Sequence, residues 1–349
     1  MVIALAMSAR GTDVCAQEHV SLDTDVLLYG DNTEFRNPFR EGETIFGAAA
    51  RVAANVELNP RVTLALGVFG NQRFGADAAF ELVRPVVTLS IHGARSSFVF
   101  GVLPARRADA PAGPDRMGPH AVLPALQRET LAFERAFEPG LQWTFNGTRF
   151  RQDAWLEWQR LNTAAHRERF DAGLNAQVLA GAVLAFPFQL HVVHQGGQLF
   201  ASGPVADSVA AAAGLKVEYT VRAMIHGSVE GYGLVSRDVP DRATPERSRD
   251  GTAFFGRAAL ERNGWRAHLI VWRGRDFVKE EGDQNYLSRR RDGTAYRGTR
   301  DYAEIGAARR FQLAPSASLE VSGRFHRIER YYEYSYRVTS TINVATRIR

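Results

Sequence analysis

Three absences narrow the class of protein before any pattern is considered. The chain has one cysteine, Cys15, so it can form neither a disulfide framework nor a cysteine-based metal site. It has no run of eighteen or more apolar residues after its first few positions, which excludes a helical membrane protein. Lysine is nearly missing, because only Lys216 and Lys279 stand among 43 basic residues. The arginine excess reflects either codon usage in a GC-rich gene or a surface or lumen that attracts anions.

Familiar catalytic motifs are missing as well. The sequence contains no Gly-x-Ser-x-Gly, no His-Glu-x-x-His and no glycine-rich phosphate loop. The candidate histidines are His191, His194, His226 and His326. The first two are three residues apart in a predicted strand, so they face opposite sides and cannot share a metal. We therefore predict a structural or lumen role for each histidine. The sequence predicts that the protein is not an enzyme and has no catalytic, cofactor or metal site.

The main pattern in the sequence is a regular alternation of apolar and polar residues. From Tyr332 to Ile348 every second residue is aromatic, aliphatic or small, and the residues between them are polar or charged. This pattern lasts about three times as long as an ordinary strand of five or six residues. Residues 149–161, 301–313 and 317–328 show the same pattern over shorter lengths. A period of two with one apolar face indicates strands that are half buried.

The connections between these strands differ in length in an ordered way. Short ones with turn residues lie at 58–61, 93–96, 146–148, 263–265 and 314–317. Long polar ones lie between them, at 30–43, 71–83, 104–138, 238–251 and 279–300. Near-alternation of short and long connections is typical of an up-and-down barrel in an outer membrane, with short periplasmic turns and long extracellular loops. A soluble sandwich has no reason to sort its loops in this way.

These signals predict an all-β fold, a transmembrane antiparallel up-and-down β-barrel of about 16 strands, within a range of 14–18. The stretch 207–219 has an alternative interpretation as a helix, because it is rich in alanine. Residues 1–16 are predicted to be the remnant of a signal peptide, with cleavage after Ala16. Residues 17–349 are predicted to form a single barrel domain, in which 104–138 is a long loop that can fold into the lumen.

With these strands and loops the chain resembles the porin-like outer-membrane β-barrel proteins of Gram-negative bacteria. The resemblance covers the mature chain as an architecture and includes no motif. It implies export through the periplasm and an integral outer-membrane location. The implied partners are outer-membrane lipid and lipopolysaccharide, the barrel-assembly machinery, small polar solutes, and either further copies of the chain or other envelope proteins, with no nucleic acid.

In porins of sixteen strands the third external loop follows the fifth strand and folds inward as a constriction. The loop 104–138 matches that position and length. It supplies the candidate constriction residues Arg106, Arg107, Asp109, Asp115 and Arg116. The alternation places further candidates on the lumen face of the strands: Arg151, Asp153, Glu157, Glu320, Arg324, Arg337 and Arg347. Arginines at a constriction favour anions, and the carboxylates among these residues weaken that preference.

These observations predict a porin-like channel for passive diffusion of small polar or anionic solutes. A first alternative is a non-conducting barrel that acts as a scaffold or surface-binding component, its pore plugged by bulky residues such as Trp155, Trp272 and Phe277. A second alternative is a secreted, soluble, β-rich protein that acts on glycans, with carboxylates such as Asp153 and Glu157 as candidates.

Overall fold

The computed structural model describes residues 20–103, 120–221 and 224–348. The predicted signal segment and the loop residues 104–119 therefore lie outside the described residues. The described parts contain one short helix, α1 (Leu131–Glu134), and two single 3-10 turns, Pro245–Arg247 and Gln284–Tyr286. They also contain sixteen strands: β1 (Val20–Arg36), β2 (Glu41–Asn59), β3 (Val62–Arg73), β4 (Leu82–His92), β5 (Ser96–Val102), β6 (Pro139–Asn146), β7 (Phe150–Arg160), β8 (Glu168–Ala180), β9 (Leu184–Gly196), β10 (Ala206–Val221), β11 (Ile225–Val239), β12 (Arg249–Arg262), β13 (Trp265–Arg275), β14 (Thr299–Ala314), β15 (Ala317–Ile328) and β16 (Tyr331–Arg347).

The strands form one closed antiparallel barrel. Each strand pairs with its neighbours in the sequence, and β16 returns to pair with β1. That last seam runs from Ser21 opposite Arg347 to Glu34 opposite Tyr334. Closure gives every strand two partners, which is the condition for crossing lipid with strands. The predicted up-and-down barrel of sixteen strands is confirmed.

The wall of the barrel has an apolar outer face and a polar inner face. In β16, Tyr332, Tyr334 and Tyr336 are 66%, 54% and 52% exposed, whereas Glu333 and Ser335 between them are buried on the lumen side. Leucine, valine and phenylalanine side chains are exposed in the same way around the wall. This outer face makes the chain an integral outer-membrane barrel, and it shows that the soluble alternative is wrong. Among the described residues, no helix is long and apolar enough to cross a membrane.

Several strands are longer than the alternation predicts. Strand β1 continues to Arg36, and only residues 37–40 connect it to β2, where the sequence predicts a loop over 30–43. Polar residues sit on both faces of this extension, and Thr44 donates a hydrogen bond to Asn32 Oδ1 (2.5 Å). Beyond the hydrocarbon layer the outer face no longer has to be apolar, so the strand continues without alternation.

The alanine-rich stretch 207–219 lies within a strand. It forms β10, which pairs with β9 on one side and β11 on the other. Ala210 and Ala212 are buried in the lumen. The helix alternative is wrong because pairing on both sides outweighs the intrinsic helix preference of alanine.

Two connections fill the extracellular half of the lumen. We call residues 120–138 and 276–288 together the inner plug. Val122, Leu126 and Phe277 are completely buried within it. The two halves bind each other, because the Arg128 N–H donates to Glu281 O (2.7 Å) and the Asp283 N–H donates to Pro124 O (2.8 Å). A barrel of sixteen strands is too wide for its own wall side chains to fill, so other parts of the chain occupy the space.

Ion pairs attach the inner plug to the wall. Glu129 lies 2.7 Å from Arg324 and 2.9 Å from Arg337, and Asp283 lies 2.8 Å from Arg40. Burial alone would raise the pKa of Glu129, but the two arginines outweigh it and lower the pKa to about 2. The Glu129 carboxylate is therefore charged at neutral pH and holds both strands.

Below the plug the lumen is open. A cavity of about 920 Å3, which we call the vestibule, is lined mainly by β1–β7 and β16. Ser21, Asn343 and Arg347 line it at the strand ends that face the short turns. The vestibule therefore opens toward the periplasm.

The two faces of β16 predict different sensitivity to charge. Val338 is 41% exposed on the outer face, near the middle of the strand, and Asn343 lines the vestibule. We expect Val338→Arg to lower the free energy of unfolding by about 2–4 kcal/mol, because it places a charge in hydrocarbon. Asn343→Arg is the matched control and should cost much less. Urea unfolding in lipid vesicles measures both, and equal losses would contradict the assigned faces.

Candidate active site in the barrel lumen

Three polar side chains from three neighbouring strands meet inside the barrel. Glu304 on β14, His326 on β15 and Ser335 on β16 all face the lumen. The register places Glu304 directly opposite His326. Ser335 Oγ lies 2.8 Å from His326 Nε2, and Glu304 Oε2 lies 3.3 Å from His326 Nδ1.

Tyr302 determines which nitrogen of the imidazole carries the hydrogen. The Tyr302 hydroxyl donates to Glu304 Oε2 (2.5 Å), and the hydroxyl oxygen of Tyr302 lies 2.8 Å from His326 Nδ1. Because the hydroxyl hydrogen is used on Glu304, the Tyr302 oxygen must accept from Nδ1–H. Nε2 then keeps its lone pair toward Ser335, which is the tautomer a general base needs.

The surroundings hold these groups in place. Ser335, His326 and Glu304 are 7%, 2% and 5% exposed. Phe35 packs edge-on against the His326 ring at 4.9 Å between centroids. His268 Nε2 contacts the other carboxylate oxygen of Glu304 at 2.6 Å. Packing and second contacts of this kind fix the orientation of reacting side chains.

A small cavity lies beside Ser335. Its volume is about 20 Å3, and Arg324, Arg337 and Asn285 line it together with Ser335 and His326. Arg324 is also the cross-strand neighbour of Ser335. The guanidinium groups of Arg324 and Arg337 are in the lining of this cavity and are both bonded to Glu129 of the plug, so they can stabilise negative charge on a reacting oxygen only when Glu129 withdraws.

Hydroxyl, imidazole and carboxylate in this order are the parts of a nucleophile, a general base and the group that orients the base. The fold and the site together define an outer-membrane β-barrel with a serine-hydrolase-like arrangement in its lumen. The family model described as lipid A 3'-O-deacylase-type matches residues 11–348, so the chain belongs to that family. A comparison with curated protein sequences finds no significant match.

Solved structures with similar folds are outer-membrane barrels. A loop-deletion mutant of OmpT from Vibrio cholerae has a TM-score of 0.56 and 12% identity, covering 93% of this chain and 99% of that one. An anion-selective porin from Comamonas acidovorans has a TM-score of 0.55 and 10% identity, covering 94% of this chain and 100% of that one. OccK2 from Pseudomonas aeruginosa has a TM-score of 0.51 and 9% identity, covering 93% of this chain and 98% of that one. At these identities the likeness concerns the fold alone.

The prediction that the protein is not an enzyme is wrong, because the family that contains the chain is described by an enzymatic activity. A search for contiguous motifs misses this arrangement for a physical reason. Its members lie on three strands and are brought together by register across the sheet, although Glu304 and His326 are 22 positions apart along the chain. Of the three, the sequence singles out His326 alone, and for a structural role.

Five residues of the loop 104–138 are predicted to form a constriction. Arg106, Arg107, Asp109, Asp115 and Arg116 lie outside the described residues, so their role stays a prediction.

The structure brings two of the predicted lumen residues, Arg324 and Arg337, to the cavity beside Ser335. Glu320 lies four residues before Arg324 on β15 and pairs with Arg266 at 2.7 Å. Arg347 lines the vestibule and Arg151 is exposed near the periplasmic end of β7.

The remaining two predicted residues face the first half of the inner plug. Glu157 is buried and lies 3.5 Å from Arg135. Asp153 lies 3.2 Å from His120 and accepts a hydrogen bond from Gln142 at 2.8 Å. Both contribute to attachment of the plug, on the side of the barrel away from Ser335.

Two of the candidate histidines, His191 and His194, lie on β9 and face opposite sides of the wall, as their spacing predicts. His191 is buried in the lumen and contacts Asp171 at 2.8 Å. His194 is on the outer face, where Nδ1 lies 2.7 Å from Asp207, and Arg242 binds the same carboxylate. Neither histidine is placed beside a serine hydroxyl, which distinguishes both from His326.

His120, where the described part of the plug begins, lies in an unusual electrostatic position. Its ring stacks on Trp155 at 3.8 Å, and its two nitrogens lie 3.2 Å from Glu138 and Asp153. Burial lowers the pKa of His120, but the two carboxylates outweigh burial and raise the pKa to about 9. Because the folded pKa exceeds the ordinary value, the stabilisation from protonated His120 is complete below pH ~6.5 and is lost as pH rises through about 9.

This shift predicts an optical transition. A protonated imidazole stacked on an indole quenches its emission, so Trp155 fluorescence should increase as pH rises from 7 to 10, with a midpoint near 9. His120→Gln should remove the transition. His226→Gln, which changes an exposed histidine away from Trp155, is the control. A midpoint near 6.5 in the unaltered protein would contradict the assignment.

Proposed function

We propose that this protein is an outer-membrane enzyme that hydrolyses acyl esters, with Ser335 as nucleophile and His326 as general base. The observation that carries the proposal is the 2.8 Å contact between Ser335 Oγ and His326 Nε2, with Nδ1 directed at Tyr302 and Glu304. The family description supports an ester-linked acyl chain of lipid A as the substrate.

The reaction follows from the roles of these groups. Ser335 Oγ attacks the ester carbonyl carbon while its proton passes to His326 Nε2. Arg324 and Arg337 stabilise the oxyanion of the tetrahedral intermediate, and Glu304 stabilises the imidazolium. Collapse breaks the bond to the sugar oxygen, which takes the proton from Nε2. A water molecule, deprotonated by His326, then cleaves the acyl–Ser335 ester and releases the fatty acid.

Access to Ser335 requires movement of the inner plug. A cavity of about 20 Å3 holds one water molecule, so it accommodates the hydrolytic water but no acyl chain. Asn285 of the plug lines this cavity directly, and Pro124 and Asp283 line it where the two halves of the plug meet. Separation of those halves would admit an ester from the extracellular side.

Substitution of Ser335 tests the proposal. We expect Ser335→Ala to lower kcat for deacylation of lipid A by about a thousandfold or more, with the barrel still folded. Ser322→Ala removes a lumen-facing serine on β15 and is the matched control. Mass spectrometry of lipid A before and after incubation measures the loss of one acyl chain. Full activity of Ser335→Ala would exclude Ser335 as the nucleophile.

Passive diffusion of small polar or anionic solutes is a second candidate function. The vestibule of about 920 Å3 and the fold likeness to porins favour it, and the filled extracellular half of the lumen opposes it. If the protein is a channel closed by its loop, deletion of residues 106–130 should enlarge a small conductance in planar bilayers. A folded deletion variant that conducts no better than the intact protein would exclude this candidate.

A further inference from the structure

The outer wall carries a groove near the extracellular ends of β10–β13. Its volume is about 420 Å3. Val209, Ala211 and Val235 form an apolar floor that faces away from the lumen, because their neighbours Ala210 and Leu234 are buried on the inner side. We call this feature the wall groove. Its rim is formed by Arg237, Asp250, Thr252, Arg275 and Asp276.

The arginines of the rim are available to an external anion. Arg237 bonds Asp250 through one nitrogen, Nη1, at 3.2 Å, and its side chain is 60% exposed. Arg275 is 75% exposed and lies 3.7 Å from Asp276. The lumen-side Arg300, by contrast, is completely buried and lies 2.9 Å from the carboxylate of Glu329. Loosely paired, exposed guanidinium groups can exchange a carboxylate for a phosphate.

The level of the rim corresponds to lipid headgroups. Toward the periplasm the outer face of β12 and β13 becomes apolar, with Phe254, Leu260 and Leu269 each about half exposed. The change from exposed apolar residues to exposed charged residues marks the edge of the hydrocarbon layer. The groove floor therefore lies beside acyl chains and the rim beside the headgroups of the outer leaflet.

The spacing of the rim arginines favours a headgroup with more than one phosphate. Arg237 lies on β11 and Arg275 on β13, with β12 between them. Arg237 is paired with Asp250 and Arg275 with Thr252, two residues further along β12. Neighbouring strands are about 4.8 Å apart and each residue rises about 3.4 Å, so the two arginines anchor about 12 Å apart. A disaccharide with a phosphate at each end spans such a distance, whereas a lipid with one phosphate reaches one arginine at a time.

We propose that the wall groove binds one molecule of lipid A from the outer leaflet. Its phosphates bind Arg237 and Arg275, and one acyl chain lies over Val209, Ala211 and Val235. Two arginines and two aspartates leave the rim without net charge, so binding depends on directed hydrogen bonds rather than on a long-range field. The groove faces lipid and Ser335 faces the lumen, so this lipid is not the one that reacts, and the site goes beyond the proposed hydrolysis.

Lipid binding can be measured separately from catalysis. The probe is lipid A with two phosphates, added to the detergent-solubilised barrel in a Ser335→Ala background, and bound lipid is counted by mass spectrometry of the intact complex. We expect Arg237→Gln with Arg275→Gln to weaken binding by about tenfold or more, because charge-assisted bonds are lost. Arg262→Gln with Arg309→Gln, near the periplasmic ends of β12 and β14, is the matched control and should change nothing.

Other arms identify the source of the interaction. Lipid A without phosphates and phosphatidylglycerol should each bind about tenfold less tightly than the lipid with two phosphates. Ala211→Leu, which fills the floor without changing charge, should also weaken binding and serves if the double variant does not fold. Unchanged binding in the rim and floor variants, or equal affinity for dephosphorylated lipid A, would overturn the proposal. If Ser335 proved not to be the nucleophile, the same binding results would still be expected, because the wall groove does not depend on Ser335.

Discussion

Backbone pairing between β1 and β16 is the interaction on which the other features depend. Without that seam, two strands would present unpaired N–H and C=O groups to hydrocarbon, at a cost of several kcal/mol for each group. Closing sixteen strands sets the width of the barrel, and the width leaves a lumen that wall side chains cannot fill. The inner plug and its ion pairs occupy that space. The buried network around Glu304 exists because the lumen is closed and polar.

The candidate active site depends on strand register as much as on composition. Glu304 faces His326, and Arg324 faces Ser335, because β14, β15 and β16 pair in one particular alignment. A shift by one residue would turn each of these side chains to the lipid. The same alignment keeps the tyrosines of β16 on the outer face. One register therefore serves both membrane insertion and the placement of a nucleophile.

Sequence reasoning reached the architecture because alternation is a local property. The strands and their order can be read from neighbouring residues. The ends of β1 and β2 could not be predicted, since polar residues on both faces hide a strand outside the hydrocarbon layer. The site was missed because proximity of Ser335 to His326 depends on pairing between strands, and the tautomer of His326 depends on Tyr302. The role of the loop in the lumen similarly depends on contacts far apart in sequence.

The attachment of the inner plug to Arg324 and Arg337 couples the plug to closure of the wall. These arginines lie on β15 and β16, whereas Glu129 belongs to the first half of the chain. The second half of the plug, which binds Arg128 through Glu281, comes from the connection between β13 and β14. The contacts that hold the plug therefore need the same strands that close the sheet, so a barrel with an open seam is also a barrel with a poorly anchored plug.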